Sequence, residues 1–159
     1  LYVISGSLIG LALLLVVAEK VSKRNRDLKS MNFIETQIIG LAQAVALMPG
    51  SSRSGTTITA GLFLNLSREA AARFSFLLSI PAIGLSGLYQ LYKMKDAILG
   101  GEIGLPLLIA TVVSGVVGFL SIDFLLKYLR SHSTYLFIVY RIAAGIIILI
   151  LLQMDILAP

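Results

Sequence analysis

Residues 33–66 read FIETQIIGLAQAVALMPGSSRSGTTITAGLFLNL. Two apolar pieces, 33–48 and 55–66, flank a polar break, and each is shorter than the roughly 17 residues a helix needs to cross a bilayer. Pro49-Gly50 interrupts the backbone, and the break carries Arg53 among Ser51, Ser52, Ser54, Thr56 and Thr57. A cation in apolar surroundings is costly, and in membranes it marks function by default. Gly50 and Gly55 permit positive φ and a close approach to a ligand. A second helix starting near Ser54 or Gly55 would present amides with no intrahelical partner, which together with the helix dipole attract anions. Arg53 adds a planar fork suited to phosphate oxygens. If the first helical turn includes Arg53, Thr57 shares its face. The plainer alternative is a serine-rich cap with an arginine that snorkels to the interface. One proline, two glycines and five hydroxyl residues around one arginine exceed what a cap requires.

Composition places this segment in a membrane. The chain of 159 residues is 57% hydrophobic and 13% charged, with mean hydropathy +0.94. A soluble domain carries about 25% charged residues. The formal charge of +5 comes from basic residues clustered between apolar stretches, so it points to loop asymmetry and not to nucleic acid. No cysteine and a single histidine exclude disulfides, thiolate metal sites and a histidine-rich metal centre. The chain opens at Leu1 with no basic leader before the first apolar run, which argues against a signal peptide and for a truncated start.

The expected architecture is an all-α integral membrane protein, a single membrane domain over 1–159. It has about four transmembrane helices, near 1–18, 68–92, 105–126 and 134–154, plus one re-entrant helix pair, 33–66. Pro81 is expected to kink the second span. The pair either crosses as one broken span or dips in and returns. Charge decides between these. With a returning hairpin, Lys20, Lys23, Arg24, Arg26, Lys29, Arg68, Lys127 and Arg130 share one side, and only Lys93 and Lys95 lie opposite. A crossing segment weakens that bias, so the positive-inside rule favours the hairpin, with basic loops cytoplasmic and the C-terminus outside.

Other polar residues in the spans carry their own expectations. Asp123 and Arg141 fall at similar depth, and the leading reading is an ion pair between spans three and four. The alternative makes Arg141 a second phosphate ligand. Arg73 snorkels or braces the hairpin. Glu35 suits a helix N-terminus better than a catalytic role. His132, in KYLRSHST, reads as a solvated loop residue. Ser75, Ser79, Ser86, Gly84, Gly87, Gly115 and Gly118 read as small-residue helix contacts.

IIGLAQAVALMPGSSRSGTTITAG (38–61), EAAARFSFLLSIPAIG (69–84) and YRIAAG (140–145) resemble the undecaprenyl-diphosphate phosphatase family, also called bacitracin-resistance proteins. The resemblance extends over essentially the whole chain and is densest over 38–84. It implies hydrolysis of undecaprenyl diphosphate to undecaprenyl phosphate, which recycles the lipid carrier of cell-wall synthesis in the bacterial inner membrane. It also implies an inverted-repeat fold with a re-entrant pair in each half. Arg53, Ser52 and Thr57 take the catalytic positions; Gly50, Ser54, Gly55 and Thr56 take phosphate-binding ones. The family's other signature supplies paired glutamates and a histidine for metal binding and attack on phosphorus, and nothing before residue 38 matches it. Gln43 echoes the place of one such acid. The resemblance thus implies half of an active site here, negligible turnover by 1–159 alone, and a divalent ion, Mg²⁺ or Ca²⁺, whose ligands lie mostly outside this chain. The implied partners are a polyprenyl diphosphate and the bilayer, with no nucleic acid and a homodimer left open. A secondary transporter or flippase for phosphate or a lipid phosphate shares the broken-helix architecture. A structural membrane subunit is the third reading.

Overall fold

The computed structural model describes residues 1–95, 98, 104–154 and 156. Six helices organise them: α1 Tyr2–Val21, α2 Phe33–Ala44, α3 Arg53–Phe63, α4 Arg68–Lys93, α5 Gly104–Ser131 and α6 Tyr135–Gln153. Helices α1, α4, α5 and α6 are each long and apolar enough to cross a membrane. Their limits lie close to the expected spans, and α4 continues through Pro81 to Lys93. The extreme C-terminus, expected outside, lies beyond the described residues.

Local sequence explains where the short helices begin and end. Asn32 caps α2: its side chain accepts from the Glu35 amide, and the Glu35 carboxylate accepts from the Asn32 amide, both at 2.9 Å. A 3-10 turn, Val45–Leu47, tightens the end of α2 before Pro49. Ser52 caps α3, whose first turn opens at Arg53, slightly earlier than expected. At the far end Asn65 adopts φ 63°, a left-handed position that asparagine tolerates, and stops the helix.

The two ends of the α2–α3 pair meet. The Arg26 amide donates to Asn65 O (3.1 Å), and the Ser67 amide donates to Arg26 O (2.8 Å). The Arg26 guanidinium reaches both oxygens of Glu35 (2.5 and 3.0 Å) and the Leu64 carbonyl (3.2 Å). The pair therefore leaves and returns at one end of the molecule. Other helix ends gather there. Glu19, 3% exposed at the end of α1, accepts from Arg24 (3.0 Å), from Arg68 at the start of α4, and from Thr134 (3.1 Å) at the start of α6. Arg130, near the end of α5, reaches Glu69 at 2.7 Å.

Two apolar clusters lie beneath. Ala12, Leu15, Ala18, Leu62 and Ile138 join α1, α3 and α6. Ile39, Leu66, Ala70 and Ala71 join α2, α4 and the α3–α4 link, and Ile58 packs against both clusters. Small residues set the closest approaches. A Cβ on Gly145 would lie 2.7 Å from Ile9 Cγ1, and one on Gly61 would lie 2.8 Å from Ala71 Cβ. By contrast, Leu129 is the one buried residue in α5. The outward apolar faces of α4 and α5 suit a hydrocarbon solvent, where helices satisfy their own backbone groups.

Candidate functional site

The break between α2 and α3 is shaped by a set of local polar contacts. Gly50 sits at φ +83°. Ser52 Oγ accepts from the Gly55 amide (3.1 Å) and lies 3.3 Å from Ser54 Oγ. The hydroxyls of Thr56 and Thr57 each lie 2.9 Å from Arg53 O. Thr57 is buried, with its Oγ1 also 2.7 Å from Ser75 Oγ on α4, so that it ties the first turn of α3 to the neighbouring helix. Arg53 is half-buried, and no carboxylate among the described residues lies within ion-pair distance of it.

A second arginine completes the arrangement. Ile138, Arg141 and Gly145 are buried on the α6 face that meets α1. Arg141 is only 7% exposed, and its Nη1 occupies the space that a side chain at Gly55 would fill. Its Nε and Nη2 are buried with no hydrogen-bond partner. The other buried side-chain atoms without a partner among the described residues are Ser51 Oγ, in the break, and Gln43 Oε1, on the helix leading into it. Buried polar groups are nearly always satisfied, so the orphaned Arg141 guanidinium marks where a polar ligand belongs.

The expected Asp123–Arg141 ion pair is not formed. Asp123 pairs instead with Lys127, one turn further along α5, at 2.7 Å and largely exposed. The reason is rotational: Arg141 shares the α6 face with Ile138 and Gly145 and points at α3, leaving Asp123 its i,i+4 neighbour.

Beside the arginine lies a cavity of about 240 Å³. Ser52, Ser54, Gly55 and Arg141 form its polar end, and Leu15, Ile58, Leu129 and Phe137 contribute to its apolar wall. Of the expected site residues, Ser52, Ser54 and Gly55 line this space. Gly50, Arg53, Thr56 and Thr57 build the turn behind it. No three His, Cys, Asp or Glu side chains come together among the described residues. The donors present at the break are guanidinium, hydroxyl and amide groups, which suit an anion. Glu35 is held by Arg26 and its own helix start, away from the break.

The sequence reading missed Glu19. An acid at the end of an apolar span was the available signal. Ser7, on α1, donates to Pro49 O at 2.7 Å and gave no signal, since its contact spans two elements.

A polytopic helical membrane protein in which a buried arginine and a helix N-terminus meet at the polar end of one cavity is the class that this fold and site define. Residues 1–147 match the family model for bacitracin resistance protein BacA, and the chain belongs to that family. It is 58% identical to an undecaprenyl-diphosphatase of Chlorobium phaeovibrioides, covering 100% of this chain and 59% of the relative. With the undecaprenyl-diphosphatase of Chlorobium luteolum the identity is 60%, over 96% of this chain and 57% of the relative. With that of Chloroherpeton thalassium it is 55%, over 97% and 57%. The chain thus spans a little under three fifths of the length of these curated relatives.

Proposed function

We propose that this chain carries the phosphate-holding part of a membrane phosphatase that hydrolyses undecaprenyl diphosphate to undecaprenyl phosphate and phosphate. The observation that carries the reading is Arg141, buried and without a counter-ion, set against the N-terminus of α3. A buried guanidinium lacking a carboxylate needs an anion to neutralise it, and a diphosphate has oxygens enough for two arginines.

Phosphoryl transfer depends mainly on positioning and charge neutralisation, which these residues supply. Arg53 and Arg141 hold the equatorial oxygens. The amides of Gly55, Thr56 and Thr57 and the hydroxyls of Ser52 and Ser54 orient the terminal phosphate. Thr57 acts through its contacts to Arg53 O and Ser75. The apolar wall takes the first isoprene units and excludes water from the arginine side. The attacking group and any divalent ion, Mg²⁺ or Ca²⁺, draw on residues outside this chain. The α2–α3 pair is re-entrant, the protein sits in the bacterial inner membrane, its basic loops are cytoplasmic and its C-terminus is outside. What supports this sidedness is the gathering of Arg24, Arg26, Arg68 and Arg130 at one end, which the positive-inside rule assigns to the cytoplasm.

The test is phosphate release from a polyprenyl diphosphate by the whole protein, with Arg53→Ala and Arg141→Ala, with and without EDTA. Each arginine variant should lose about 100-fold or more in kcat, as for removal of one preorganised oxyanion donor. Abolition by EDTA would place a metal in the reaction. A well-folded protein that releases no phosphate would shift the reading to translocation of a lipid phosphate.

A further inference from the structure

Helix α1 touches both elements that bring the arginines together. Ser5 and Ile9 meet Gly145 on α6, one turn beyond Arg141. Ile4 and Ser7 meet the break itself. A Cβ on Gly50 would lie 2.6 Å from Ile4 O and 2.8 Å from Ile4 Cα, and would also strike Ser7 Oγ. With φ at +83°, Gly50 is doubly determined, by conformation and by space. Serine within a helix ordinarily bonds back to its own preceding turn. Ser7 lies 3.0 Å from Ile4 O but closer, at 2.7 Å, to Pro49 O, 42 residues away. Pro49 immediately precedes the turn that presents Ser51, Ser52 and Arg53.

We propose that Ser7 is a positioning residue for the phosphate-holding turn: its hydroxyl pins Pro49 O, and α1 thereby sets the turn in register with Arg141. This rests on the phosphatase reading for the identity of the anion, but not for the mechanical claim. Other serines in the chain show the contrast. Ser86, on α4, bonds only to Ala82 O and Ile83 O of its own helix.

The test compares Ser7→Ala with Ser86→Ala in the whole protein. Three quantities are read: the melting temperature in detergent, the inhibition constant of inorganic pyrophosphate against phosphate release, and the amide resonances of Gly50 and Gly55 after glycine-selective ¹⁵N labelling. In Ser7→Ala, pyrophosphate inhibition and kcat/KM should weaken by about five- to tenfold, the scale of one hydrogen bond. The Gly55 signal, at the far side of the turn, should shift or broaden, with the melting temperature nearly unchanged. Ser86→Ala should leave all three at their original values. A Gly55 signal and a pyrophosphate constant unaltered by Ser7→Ala would overturn the proposal. So would a shifted signal with unaltered pyrophosphate inhibition, which would reduce Ser7 to a structural contact. An unmutated protein without phosphatase activity would defeat the functional reading alone, because the Gly55 signal still decides whether Ser7 holds the turn.

Discussion

Arg141 is the residue on which the site turns. Its Nη1 fills the space beside Gly55. Gly55→Ala should therefore displace the guanidinium, because a Cβ there collides with it and also lies 3.0 Å from Ser52 Cβ. The expected outcome is a protein of near-normal stability with phosphate release reduced by about 100-fold, comparable to loss of the arginine itself. Asp123→Asn makes the opposite case. The Asp123–Lys127 pair is exposed on one helix face, and such pairs contribute about 0.3–0.5 kcal/mol. Melting temperature and yield should barely move, whereas a buried interhelical pair would have produced a large loss. The sequence made Asp123 and Arg141 plausible partners because depth along two spans is legible from residue counts. Rotation about each helix is not, and rotation decided the outcome.

Among the elements, two ionic clamps hold the helix ends. Glu19 receives Arg24, Arg68 and Thr134 while almost fully buried. Thr134 makes no capping bond of its own to α6. Glu19→Gln should destabilise the protein by about 1.5–3 kcal/mol, the scale of hydrogen bonds to a charged group, while the partly exposed Arg24 and Arg68 stay hydrated. Thermal unfolding in detergent would measure it. The second clamp is pH-sensitive. The Arg26 guanidinium, aided by the Asn32 amide, holds the Glu35 carboxyl below its usual range. The carboxyl is thus lower in the folded than in the unfolded chain. Its contribution is present above the unfolded value of about 4.3 and fades as pH falls through the lower folded value. Arg26 stays charged throughout, its own value being raised by Glu35. Proteolysis of the 22–32 link should accelerate as the medium is acidified below about pH 4, and Glu35→Gln should flatten that response. The capping of α2 by Asn32 and Glu35 was legible locally. The pairing of Glu35 with Arg26 required the chain to turn back at residues 26–30.

For the whole molecule, the meeting of residues 26 and 65–67 makes topology testable. Residues 1–159 contain no cysteine, so single cysteines at Lys29, Lys93 and His132 report sidedness directly. Positions 29 and 132 should label from one side and 93 from the other. A pair that crossed the bilayer would instead place 29 with 93 and opposite 132.

The sequence alone determined the membrane class, the four long helices, the broken helical pair and the anion-seeking character of PGSSRSGTT. These follow from hydropathy, span length, backbone-breaking residues and unpaired amides, all of them local properties of a chain in lipid. The tertiary structure alone decided that Arg141 joins this break and not Asp123, that Glu19 ties three helix starts and ends, and that Ser7 reaches Pro49. Each depends on which face of a helix meets its neighbour. That is set by the fit of Gly145 on α1 and Gly61 on α4, a matter of shape between segments far apart in the chain.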